Sequence, residues 1–355
     1  MHNFEEKVLE TIIDNNLIEE GDKIILAVSG GPDSIAMLKS IYNLKCEKER
    51  KNSTEKLSRD ELKAFKKVRI LPSFDIVVAH VNHLIRQEAK EDESFVKDFC
   101  EEIGIQFYSK SIDVKEIANT YKIGMEEAGR IARYDFFDEV ANITGASKVA
   151  IAHNKNDSVE TVIMHAIRGS GTYGLHGIEV KNGKYIRPLI ECQRCEIEEY
   201  CKDNHIEARI DKTNFENLYT RNKIRNVAIP YIEKEFNPNI IETISRLSEL
   251  IKEQDSFLDN FVEKIFYGIR LYEDDNLIIL DLKKFNLQEK VIKSKLVLYT
   301  IIRLFGTSKG IEKIHIEDIL KLCQNNVGNK FLLPNRNTKV FVNNGKIEIS
   351  KIKKV

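Results

Sequence analysis

"ILAVSGGPDSIAML", residues 25–38, starts as a run of strand-forming apolar residues and finishes as the first turns of a helix. Between the two stand Ser29, Gly30, Gly31, Pro32, Asp33 and Ser34. Adjacent glycines let the backbone turn tightly and bring its N–H groups close to an anion. The following helix adds the positive end of its dipole, so the junction is a natural phosphate cradle. Pro32 suits a first helical turn. Asp33 supplies a carboxylate suited to a cation, and Ser34 a hydroxyl. Ser and Asp also serve as ordinary helix caps. The loop's position at the end of the first strand of an alternating pattern carries the reading beyond a cap, because ligands bind at that edge of a parallel sheet.

The pattern itself predicts strands at 24–28, 76–81, 105–109 and 149–152, with helices between them at 34–45, 88–103, 126–143 and 157–168. Continuous apolar strands separated by helices give an α/β fold, a parallel sheet with helices on both faces. Residues 45–69 interrupt the rhythm; more than half of them are charged, and they read as a solvated insertion. Beyond about residue 215 the alternation fades. Helical periodicity runs through 240–266, 289–305 and 311–324, with short strands at 277–283 and near 339–350. In the last of these, Asn344-Gly345 between apolar runs is a hairpin signal. Two domains are expected: residues 1–215, and a smaller, mainly α domain with short strands over 216–355.

Bulk composition narrows the function class. Of 355 residues 42% are hydrophobic and 31% charged, as in a folded, soluble protein. No stretch approaches the roughly 20 apolar residues of a membrane span, and the acidic, amphipathic amino terminus is not a signal peptide. A cytoplasmic protein without a membrane partner is expected. Lys plus Arg number 55 against 56 Asp plus Glu, so any nucleic-acid partner must be met by a local basic patch.

Among six cysteines, Cys192, Cys195 and Cys201, followed by His205, have zinc-like residue types. The stretch reads instead as an amphipathic helix with Ile197, Tyr200 and Cys201 on one face, and only one CxxC is present. We read these as buried or partly exposed thiols and expect no structural zinc.

Two phosphate motifs fail on the loop: G-x-x-x-x-G-K-[ST] needs a lysine, and G-x-G-x-x-G needs a third glycine. The loop instead resembles the S-G-G-x-D-S pyrophosphate loop (PP-loop) of the ATP pyrophosphatase superfamily. Further stretches follow later strands: "AHVNH" (79–83), "GMEEAGRIARYDFF" (124–137), "AIAHNKNDSVETVIMHAIRGSGTYGLHGI" (150–178), "IRPL" (186–189) and "YTRNKIRN" (219–226). Singly, each has an ordinary reading. Arg130 and Arg133 are spaced for helix ion pairs, and Asp157 could cap its helix with Glu160 three residues on. Together and in this order they resemble the tRNA(Ile)-lysidine synthetases, most specifically in "RGSGTYGLHGI", over residues 20–240 and more loosely beyond.

That resemblance implies an ATP-dependent ligase on a Rossmann-like PP-loop catalytic domain, followed by a tRNA-binding carboxyl-terminal domain. ATP would adenylate the C2 oxygen of cytidine-34 in the CAU anticodon of isoleucine tRNA, and the amine of free L-lysine would displace AMP to give lysidine. Carried residue by residue, it gives Ser29, Gly30, Gly31, Pro32, Asp33 and Ser34 to ATP, and Asp33 and Asp157 to Mg²⁺ and phosphates. Glu160 would engage or deprotonate the lysine ammonium. Arg133, with Arg130 the second choice, and Arg225 or Arg221 would stabilise polyphosphate charge. Arg168, Gly169, Ser170 and Gly171, with His83 and Arg221, would face the substrate or the tRNA. Members are often dimers, so a homodimer is among the implied partners. The common His-His-x-Asp-Asp-Gln becomes His153-Asn154-Lys155-Asn156-Asp157-Ser158 here, removing one carboxylate. Two rivals are a PP-loop tRNA thiolase, which needs paired cysteines or an iron–sulfur cluster, and a non-catalytic nucleotide- or tRNA-binding paralogue.

Overall fold

The computed structural model describes residues 2–50, 67–82, 89–209, 220–325 and 330–352. It divides into two compact units, Met1–Glu249 and Leu250–Val355. In the first, strands β1 (Asp22–Ala27), β2 (Phe74–Asn82), β3 (Phe107–Ser111) and β4 (Lys148–Ile151) are joined by β5 (Lys181–Asn182) and β6 (Tyr185–Ile186). The sheet order is β3-β2-β1-β4-β6-β5, and every pair except β5–β6 is parallel. Helices α1 (Asn3–Asp14), α2 (Pro32–Glu49), α3 (Ala89–Glu102), α4 (Val114–Tyr121), α5 (Met125–Thr144), α6 (Lys155–Ile167) and α7 (Arg194–Asp203) fill the connections. Helix α4 was not foreseen, being only two turns long. The α/β reading with a covered parallel sheet is thus what the chain adopts.

Strand alternation explains the two faces. Ile24 and Leu26 of β1, with Val28 just after it, point into a core with Val8 and Ile12 of α1, Ile35 and Leu38 of α2, Val96 of α3 and Ile197 and Tyr200 of α7. Ile25 points the other way and packs with Val77, Val149, Phe136, Phe137 and Val140. Each of these side chains is buried, so β1 is apolar without a break from Ile24 to Ala27.

The strand order sets the site. From β1 the chain moves to β2 and β3 on one side, then returns to place β4 on the other. The crevice between the carboxyl ends of β1 and β4 is the topological switch point. Ala27 pairs with Ile151, so the loop after β1 and the loop after β4 leave the sheet side by side.

The first unit runs past the expected limit at residue 215. Ile224, Ile229 and Ile241 pack on Val159 of α6, which makes this segment part of the same body. The charged insertion also differs from its expectation at its end: Val68 and Leu71 are buried in the main core, and Lys67 pairs with Glu6 and Glu10 of α1. Residues 51–66 lie outside the described residues.

The second unit holds a five-stranded antiparallel sheet, β7 (Arg270–Glu273), β8 (Leu277–Asp281), β9 (Lys330–Leu332), β10 (Thr338–Asn343) and β11 (Lys346–Lys351), in the order β7-β8-β11-β10-β9. Its core joins Ile278, Leu280, Val340, Val342, Ile347 and Ile349 to helical residues that include Phe266, Leu296 and Ile319. The expected hairpin turn is present: Asn344 and Gly345, at φ 48° and 73°, are both left-handed, as a two-residue turn matching strand twist requires. Among the described residues no helix is long and apolar enough to cross a membrane.

Candidate functional site

A cleft of about 2340 Å³ opens at the switch point, lined by the glycine loop, the loop after β4, α5, the start of α7 and residues 221–230. Gly30 adopts φ 93°, which a side chain would resist, and Gly31 is the N-cap of α2. Ser34 fixes the turn. Its hydroxyl accepts from the Ser29 backbone N–H at 3.1 Å and donates to the Gly31 carbonyl at 2.9 Å. The Gly30 carbonyl is held from outside by the Arg209 N–H at 3.1 Å. Behind the loop, His80 is buried and its Nδ1 meets the Val28 carbonyl at 2.9 Å. Burial lowers its pKa, so the ring is neutral and donates there.

Helix α6 opens with a reciprocal cap. The Asn154 side chain accepts from the Asp157 N–H at 3.0 Å, while Asp157 accepts from the Asn154 N–H at 3.2 Å. Asp157 is therefore the third helical residue of a capping box whose cap is Asn154. It does not cap the helix itself. Asn154 also donates to the Asp33 carboxylate at 3.1 Å, tying the two loops together. Burial, then repulsion from Asp157, pushes the Asp33 carboxyl up to about 6.

One turn on, Glu160 is 1% exposed. Arg225 grips it with Nε at 2.6 Å and Nη2 at 2.8 Å, and also reaches Asp157 at 2.7 Å. Arg221 adds Nε to Glu160 at 2.9 Å. Arg194 stands 3.7 Å from both carboxylates. Arg221 and Arg225 lie four residues apart, so they share one side of the helical segment Thr220–Lys223 and the wide turn Ile224–Ala228 that follows. Three guanidiniums thus face two carboxylates, and the buried charges are paired in forked geometry. Burial lowers the His153 pKa to about 4 despite Asp157, helped by Arg187, Arg221 and Arg133. Arg187 donates to its Nδ1 at 3.2 Å, which leaves Nε2 carrying the proton.

The structure gathers Ser29, Gly31, Pro32, Asp33, Ser34, Arg133, Arg221 and Arg225 on one cleft wall or another, with Gly30, Asp157 and Glu160 against it. Among the described residues no carboxylate pairs with Arg133 within 4 Å, and its Nε donates to the Gly129 carbonyl of its own helix at 3.4 Å. Arg130 also lines the cleft and lies over Tyr134. Two of the expected residues meet partners within the protein itself. Glu160, expected to meet a lysine ammonium, has both oxygens held by guanidiniums. Arg221, expected on an RNA-facing patch, turns inward to the same carboxylate. Arg168, Gly169, Ser170 and Gly171 are exposed and follow the carboxyl end of α6, away from the capped end. The rest of that stretch returns, and Gly177 and Ile178 reach the cleft. His83 lies outside the described residues.

Sequence reasoning passed over Asn154, Arg187 and Arg194. Asn154 had a readable signal, a cap residue three before an acid at a helix start. Arg187, inside the quoted IRPL stretch, and Arg194 gave no sign of their partners, because only the fold brings Arg187 to His153 and Arg194 to α6. Cys192 and Cys201 are buried, their thiols pushed up to about 12 and about 11, whereas Cys195 is exposed. His205 lies past the end of α7, exposed, at φ 53°.

Gly177 tests how the α6 wrap is held. It sits at φ 68°, and a Cβ there would collide with the Ser158 hydroxyl that accepts from the Ile178 N–H at 3.0 Å. Gly177→Ala is expected to cost about 1–3 kcal/mol through backbone strain and the lost bond. Thermal denaturation reads this directly; an unchanged midpoint would contradict it.

The PP-loop domain family matches residues 1–232. A tRNA(Ile)-lysidine synthase of Clostridium tetani is 40% identical over 344 residues, covering 96% of this chain and 68% of that protein. The counterpart from Clostridium acetobutylicum is 41% identical over 342 residues, with 96% and 68% coverage. Among solved structures, the U34-tRNA thiolase NcsA from Methanococcus maripaludis aligns with TM-score 0.52 at 20% identity, over 70% of this chain and 78% of that one. This last likeness is one of fold. With the switch-point cleft, the glycine loop and relatives matched along nearly its whole length, the chain belongs to the tRNA(Ile)-lysidine synthase family, built on a PP-loop domain.

Proposed function

We propose that this protein is an ATP-dependent ligase that joins free lysine to C2 of cytidine-34 in isoleucine tRNA bearing a CAU anticodon. The observation that carries the reading is the meeting, in one cleft, of an anion-binding glycine loop and an arginine cluster in a member of this family. In the first step the cytidine O2 attacks the α-phosphorus of ATP, the new O–P bond forms and pyrophosphate leaves. In the second, a lysine amine that has lost its proton attacks C2, and AMP departs with the oxygen. A neutral carbonyl is a poor electrophile, and adenylation turns its oxygen into a leaving group. The base must leave its stack to enter the cleft, which an anticodon loop permits more readily than a duplex.

The backbone N–H groups around Gly30 and Gly31 and the amino end of α2 receive the pyrophosphate. Arg133, which pairs with no described carboxylate, we assign to meet charge that develops during transfer. Arg194, Arg221 and Arg225 present a wall of positive potential, and Asp157 and Glu160 fix its geometry. We therefore assign Glu160 to holding arginines and leave the lysine ammonium to another group.

For magnesium the donor chemistry fits at Asp33. It is a desolvated carboxylate beside the phosphate cradle, with one hydrogen bond from Asn154. Mg²⁺ characteristically takes one or two carboxylates plus substrate phosphates and water. Among the described residues no group of three His, Cys, Asp or Glu could hold a metal. When bound, the ion would neutralise phosphate charge. Asp157, also expected there, has its oxygens committed to Asn154 and the arginines. The second unit, with its antiparallel sheet, we assign to tRNA binding.

The test mixes protein, ATP, Mg²⁺, radiolabelled lysine and an isoleucine tRNA transcript with a CAU anticodon. Label is expected in acid-precipitable RNA, stable to mild alkali and absent with a C34U transcript. AMP release without label would retain adenylation and overturn the nucleophile or acceptor. No AMP and no label would favour a binding protein.

A further inference from the structure

The side chain of Asn154 is fully buried where the loops after β1 and β4 meet. Its Oδ1 accepts from the Asp157 N–H and its Nδ2 donates to Asp33. A flipped amide would set N–H against N–H and oxygen against carboxylate, so the two partners fix its orientation. Capping alone does not call for asparagine, since Ser, Thr or Asp would cap α6 as well. What asparagine adds is an acceptor and a donor on separate atoms about two ångströms apart, able to serve both loops at once. Aspartate has no donor, and a serine hydroxyl offers one atom on a shorter arm.

We propose that Asn154 is a positioning residue that couples the phosphate loop to the arginine cluster, holding the Asp33 carboxylate in the orientation that receives nucleotide. It acts through Asp33 and does not touch the reacting atoms. Through the same cap it sets the first turn of α6, and with it Asp157 and Glu160, which anchor Arg221 and Arg225. The loop and the guanidiniums thereby keep one relative geometry. The inference rests on the assignment of this cleft to ATP.

Asn154→Ser keeps a cap and loses the bridge; Asn154→Ala loses both. We expect the serine variant to melt between the native protein and the alanine variant, because it keeps the cap while both variants lose the bond to Asp33. Its affinity for Mg-ATP, measured by calorimetry, should fall about tenfold, as for loss of one hydrogen bond to a charged group. In pyrophosphate release its KM for ATP should rise by a similar factor with KM for tRNA unchanged. The alanine variant should show both the affinity loss and a lower melting temperature. The proposal is overturned if Asn154→Ser binds Mg-ATP within twofold of the native protein. It is equally overturned if the affinity loss in the two variants simply follows their loss of stability. Failure of the native protein to bind ATP would instead overturn the underlying assignment of the cleft, so the two failures are distinguishable.

Discussion

Asp33→Asn is expected to slow ATP-dependent pyrophosphate release by about 10²–10³-fold, the scale for removing one preorganised charge from a reacting site, while making the free protein more heat-stable at neutral pH. The two effects have one origin. In the folded chain the Asp33 carboxyl titrates at about 6, against an ordinary value of 3.8, because burial and Asp157 oppose its charge. The folded state therefore holds a proton more tightly than the unfolded one, and stability falls as pH rises between roughly 4 and 6. Asparagine keeps the shape and still accepts from Asn154 without the charge. The variant should be more stable than the native protein above about pH 6, and the two should converge below about pH 4. Melting curves across that range, beside a pyrophosphate assay, read both halves. A native-like rate would remove Asp33 from the nucleotide site, and a pH-independent stability difference would remove the carboxylate from its desolvated setting.

Arg225→Ala is expected to cost about 3 kcal/mol, the lower end for breaking a buried ion pair, and to abolish adenylation. Glu160 is 1% exposed, and Arg225 supplies two of its hydrogen bonds as well as one to Asp157. Arg221 keeps its own bond to Glu160, which holds the loss at that lower end. In a unit of this size the loss corresponds to a fall of about 6–12 °C in melting temperature. Lysine at 225 would keep the charge but not the fork, so Arg225→Lys should recover only part of the stability. Adding Glu160→Gln to Arg225→Ala should cost less than the sum of the single changes, because the uncompensated charge is gone. A midpoint within 2 °C of the native protein, or strictly additive losses, would show that the cluster is not a coupled unit.

Much of this molecule could be read in one dimension. The unbroken apolar runs at β1, β2 and β4 announced a parallel sheet, since only strands covered on both faces can be apolar at successive positions. The glycine pair with Pro32 and Asp33 announced a phosphate loop, because backbone turn and helix start are local properties of the chain. Asn344-Gly345 announced its hairpin for the same reason: a two-residue turn with both φ angles positive needs those residues.

Local signals said less where partners are distant. The second unit is α-rich with short strands as expected, but β7 and β9 carry no sequence signal, because brief antiparallel strands gain their stability from neighbours that periodicity does not reveal. The end of the first unit was placed too early, because Ile224, Ile229 and Ile241 look like any helical residues until Val159 is seen beneath them.

What the sequence by itself determined was the kind of chemistry on offer: a phosphate-binding loop at the edge of a parallel sheet, carboxylates at a helix start, and arginines spaced to share a side. What only the tertiary structure decided was which of these groups are free to act. The strand order brings the loops after β1 and β4 together, so that Asn154 meets Asp33, and Asp157 in the first turn of α6 meets Arg194, Arg221 and Arg225. That contact pairs Glu160 with Arg221 and Arg225, partners that neither residue type announced. A residue type fixes what a side chain is able to bind, but the competition for it is settled by which opposite charges the fold buries within hydrogen-bond reach.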